Sequence, residues 1–83
     1  MANKQDFTDE LDLILIQAKE EGKTSIEILS KDLHDSITPH GENSMPNCCN
    51  AMHDIKPNNY LSKELIHTTN SGQSTTIKIR YYL

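Results

Sequence analysis

Tryptophan is absent from this chain of 83 residues, and only four side chains are aromatic: Phe7, Tyr60, Tyr81 and Tyr82. With hydrophobic residues at 35%, the chain can fill one small core and not a second. Each buried large apolar side chain contributes roughly 1.5–3 kcal/mol, and small domains have little surplus. Three glycines, Gly22, Gly41 and Gly72, stand far apart, so no glycine-rich loop is available to cradle a phosphate. The two cysteines, Cys48 and Cys49, are neighbours and cannot close chain loops as a disulfide scaffold does. They read as reduced thiols. No apolar run approaches the length of a membrane span; Leu11 to Ala18 is broken by Asp12 and Gln17. The first residues, Met1-Ala-Asn-Lys-Gln-Asp6, lack the basic and apolar regions of a signal peptide, so a cytoplasmic protein without membrane contact is expected.

Positive charge is scarce as well. Eight lysines and arginines face twelve acids, a formal net charge of −4. The imbalance is local: residues 1–55 hold four lysines and eleven acids, a net of −7, whereas residues 56–83 carry a net of +3. The first part would repel nucleic acid, and the second could touch phosphate.

Phe7, Leu11, Ile14, Leu15 and Ala18 fall on one helical face, with Asp6, Thr8 and Asp9 as capping residues and Gly22 as the stop. The pattern predicts a helix over about 7–21, preceded by a disordered stretch, 1–5. Thr24 to Ile28 alternates as a brief strand. Ser30 is placed to cap a helix over 31–37, on which Leu33 and Ile37 share a face. Thr38 to Asn43 reads as a loop. A third helix starts at Ser44 or Met45, with Pro46 in its first turn, and runs to about Ile55, before Lys56-Pro57. Two strands follow, Tyr60 to about Thr68 and Thr75 to Leu83, around a turn at Thr69 to Gln73. In the last strand Ile77, Ile79 and Tyr81 point one way, and Thr76, Lys78, Arg80 and Tyr82 the other.

Helix, short strand, helix, helix, strand, strand is the order of a winged helix-turn-helix, an α+β fold with a two-stranded C-terminal hairpin as its wing. Residues 1–83 would form one such domain. Ser25-Ile-Glu-Ile-Leu-Ser-Lys-Asp-Leu-His34, Met45-Pro-Asn-Cys-Cys-Asn-Ala-Met52 and Ile77-Lys-Ile-Arg-Tyr81 resemble a set of small bacterial proteins. Those proteins share an Asp-Leu-His, a Met-Pro-x-Cys-Cys and a C-terminal Ile-Arg-Tyr. The resemblance spans most of the chain. It implies the winged-helix fold and carries no assigned activity.

The third helix is the candidate recognition element. Its apolar stripe is Met45, Cys48, Met52 and Ile55, which leaves Asn47, Asn50 and Asp54 on another face. Asparagine can pair bidentately with adenine in the major groove. A structural helix with a solvated polar face would carry the same residues. Lys56 closes the helix, and Lys63, Lys78 and Arg80 lie on the hairpin, where two or three cations could pin phosphates. The expected nucleic-acid contacts are therefore Asn47, Asn50, Lys56, Lys63, Lys78 and Arg80.

His34, His40, Cys48, Cys49 and His53 raise two further readings. Zinc needs four converging ligands, whereas neighbouring helical cysteines project about 100° apart. A Cys49 nucleophile with His34 as base would gain from the helix N-terminus, but no oxyanion loop or carboxylate partner can be assigned. Neither metal, cofactor, small-molecule ligand nor catalysis is expected. His34 reads more simply as a packing residue of the second helix. The functional reading that follows is a protein that binds double-stranded DNA or assists a DNA-acting partner; the alternative is a protein-interaction module that keeps the fold without binding DNA.

Overall fold

The structure is a computed structural model that describes residues 3–38, 44–69 and 75–83. Helix α1 spans Lys4–Glu20, strand β1 Ser25–Leu29, helix α2 Ser30–Ile37, helix α3 Met45–Asp54, strand β2 Ser62–His67 and strand β3 Lys78–Tyr82. Among the described residues the fold is mixed α+β, three helices and one three-stranded antiparallel sheet. Most of the expected loop at 38–43 and of the turn at 69–73 lies outside the described residues.

Helix α1 begins earlier than the apolar period suggests, and the cause is local. The Asn3 side chain accepts from the Asp6 backbone N–H at 2.9 Å, and Asp6 accepts from the Asn3 N–H at 3.0 Å, a reciprocal capping box. Lys4 and Gln5 are therefore helical, not part of a disordered lead. At the other end Gly22 adopts φ +84°, and its N–H and that of Lys23 close on the carbonyls of Lys19 and Ala18. That pair of bonds needs a left-handed residue, which glycine supplies.

Ser30 does not cap α2 as expected. It is the first helical residue, fully buried, and it works across the chain. Its N–H donates to the Ile77 carbonyl at 2.8 Å, and its hydroxyl accepts from the Ile77 N–H at 3.2 Å. Its own carbonyl accepts from the Cys48 thiol at 3.4 Å. One serine thus ties the starts of α2 and β3 to α3.

Strand β3 is central, in the order β1-β3-β2. Ile77, Ile79 and Tyr81 turn inward and are buried, as their alternation predicts. They pack with Phe7, Leu11 and Leu15 of α1, Leu33 of α2, and Cys48 and Met52 of α3. Strand β2 is different: all six of its residues are exposed, and an irregularity interrupts its pairing between Leu65 and His67. It forms one edge of the sheet. No helix among the described residues is long and apolar enough to cross a membrane.

Candidate nucleic-acid interface

The last carbonyls of helix α3, which have no partners within the helix, accept from side chains of the sheet and the following loop. Tyr81 Oη donates to the Met52 carbonyl at 2.8 Å, and Tyr60 Oη to that of Ile55 at 2.5 Å. The two rings meet edge to face, with centroids 5.1 Å apart. Burial pushes both phenols above their ordinary range, so they remain donors at neutral pH. Lys63 Nζ donates to the His53 carbonyl. This lysine, expected on phosphate, caps a helix instead.

The amino end of α3 is fixed by His34. Its Nε2 accepts from the Ser44 backbone N–H at 3.1 Å, so that nitrogen carries no proton. Nδ1 lies 3.1 Å from Thr38 Oγ1 and 3.3 Å from Asp35 Oδ1, and the ring stacks on Phe7. Because Thr38 Oγ1 itself donates to the His34 carbonyl, it can accept from Nδ1–H. His34 is occupied at both nitrogens, which matches its reading as a packing residue.

With both ends fastened, little of α3 faces solvent. Cys48, Cys49, Ala51 and Met52 are buried; Asn47, Asn50 and His53 are half-buried. Asn47 and Asn50 also already interact within the chain. Asp54, on the same polar side, pairs with Lys4 at 2.8 Å, and that bond holds its carboxyl below the usual range. Burial pushes the Cys48 thiol up to about 12, so it is not a thiolate at neutral pH. Among the described residues no group of three or more His, Cys, Asp or Glu side chains could hold a metal ion; His40 lies outside them.

The outer face of the sheet carries the remaining cations. Antiparallel register sets Arg80 between Glu27 of β1 and Glu64 of β2. Arg80 Nη2 and Nε reach Glu27 Oε2 at 2.5 and 3.1 Å, and Nη1 lies 3.6 Å from Glu64 Oε1. Lys78 Nζ stands 4.0 Å from the other Glu27 oxygen. Tyr82 Oη donates to Glu64 Oε1 at 2.6 Å. Hydrogen bonding from Arg80 holds the Glu27 carboxyl below its ordinary value, and the same bond raises Arg80. Two cations and two carboxylates share one row and cancel in charge.

The six expected nucleic-acid residues are thus not brought together as a free basic surface. Lys63 is spent on a helix end, and Lys78 and Arg80 on carboxylates. Lys56 is exposed and forms no ion pair with another described residue. Glu27 and Glu64 are the residues that sequence reasoning left out. Only the alternation Ile26-Glu27-Ile28 hints that Glu27 joins a polar sheet face. The comparisons return nothing for this chain: no family model, curated protein or solved structure matches it.

Proposed function

We propose that this chain is a small winged-helix protein whose scaffold serves protein–protein interaction without gripping duplex DNA. The element order and the β1-β3-β2 sheet support the winged-helix reading, because a hairpin beside an early edge strand is what that arrangement requires. Fold alone does not decide function.

The observation that carries the functional choice is the row Glu27–Arg80–Glu64 with Lys78 beside it. Phosphate contacts supply most of the affinity of non-specific DNA binding, each by releasing counterions. A wing whose cations are already matched by carboxylates has few counterions to release. The half-buried asparagines of α3 are uncharged and release no counterions. A cytoplasmic setting suits the two free thiols.

Fluorescence anisotropy against a mixed-sequence duplex at low salt tests the choice. No saturable binding is expected. Saturable binding that weakens steeply with salt overturns the interaction reading in favour of DNA.

A further inference from the structure

Helix α1 has an outer side that the core does not use. Leu13 is 61% exposed and Ile16 40%, although both are large and apolar. At 100° per residue, Asp9, Glu10, Ile16 and Glu20 all lie within about 60° of Leu13. With Asp6, which falls about 20° from Leu13, that arc holds four carboxylates around two apolar side chains and no cation: Lys4 points to the opposite side, where it pairs with Asp54. Beside it opens a shallow, mostly apolar groove lined by Ile16, Lys19, Glu20 and Asn59. Its far wall is fixed, since Asn59 Nδ2 donates to Asp12 Oδ1 at 3.0 Å.

Resting on the interaction reading above, we propose that this face of α1 docks a lysine- or arginine-bearing amphipathic helix of another protein. Its apolar anchor would cover Leu13 and Ile16 and enter the groove. Charge complementarity selects that occupant. A second copy through the same face would set carboxylates against carboxylates, and duplex DNA or an anionic lipid surface would be repelled likewise. A cationic helix meets the acidic rim with opposite charge while its apolar side removes two exposed hydrophobic residues from water.

The test uses a fluorescein-labelled synthetic peptide of leucine and lysine, about 18 residues long so that it can form an amphipathic helix. Its binding is followed by anisotropy and by amide chemical shifts of the full chain. Shifts centred on Leu13, Ile16, Gln17 and Asn59 are expected. Leu13→Ser with Ile16→Ser should weaken binding about tenfold, equivalent to about 1.4 kcal/mol. Glu10→Lys with Glu20→Lys should weaken it by at least as much. All four positions are on the outer side of α1, and far-ultraviolet circular dichroism checks that each variant keeps its helices. Absence of binding, shifts centred elsewhere, or sensitivity to the charge changes alone would each overturn the proposal. Those results leave the interaction reading intact, because that reading falls only on duplex affinity of the wild-type chain.

Discussion

Replacing Glu27 and Glu64 together by glutamine should turn a neutral sheet face into one of charge +2. Glutamine keeps the shape and an acceptor oxygen for Arg80, so the register β1-β3-β2 should persist. The native row holds Lys78 and Arg80 against two carboxylates, and the hydrogen bond from Arg80 holds Glu27 below its ordinary range. In the variant each freed cation can displace one counterion from DNA. At about −0.9 per phosphate, two contacts make the slope of log affinity against log salt more negative by about 1.8. A fourfold rise in salt, from about 50 to 200 mM, then costs roughly tenfold in affinity. Anisotropy titration of a mixed duplex at several salt concentrations measures this directly. Adding Lys78→Ala and Arg80→Ala to the double variant should abolish the gained binding and leave no saturable affinity, as expected of the wild type. Saturable wild-type binding with a slope equal to the variant's would refute the neutralisation of this sheet face by its carboxylates. So would a folded double variant that gains no affinity.

Tyr81→Phe removes a buried donor from the Met52 carbonyl and keeps the ring, so stability should fall by about 1–3 kcal/mol, the cost of an unsatisfied buried acceptor. Tyr82→Phe, which loses exposed interactions with Glu64 and Arg80, should stay within about 0.5 kcal/mol by urea denaturation; equal effects would sink the idea that Tyr81 fastens α3. Burial pushes the Cys48 thiol to about 12, so between pH 7 and 9 it stays protonated. Cys49 is fully buried as well, so Ellman's reagent should leave the native protein nearly untouched and titrate both cysteines after unfolding, and rapid native modification would contradict the packing described.

Some features were legible one residue at a time. The apolar spacing of Phe7, Leu11, Leu15 and Ala18 marks α1, and Gly22 ends it, because helix periodicity and the left-handed stop are local properties. The alternation from Ile77 to Tyr81 marks the buried face of β3 for the same reason. The start of α1 was missed because the Asn3–Asp6 capping box lies ahead of the apolar period.

The candidate site was less legible, because its chemistry depends on partners far along the chain. Which residues are charged, which faces are apolar and where helices and strands alternate can be read along the chain, since these follow from local propensity and spacing. Tertiary structure alone decided what the charges do. Arg80 meets Glu27 across 53 positions, and Ser30 meets Ile77 across 47. Lys63 reaches the His53 carbonyl only because β2 lies beside the end of α3. A cation is a phosphate ligand or an internal counter-ion according to its spatial neighbours, and sheet register sets those neighbours.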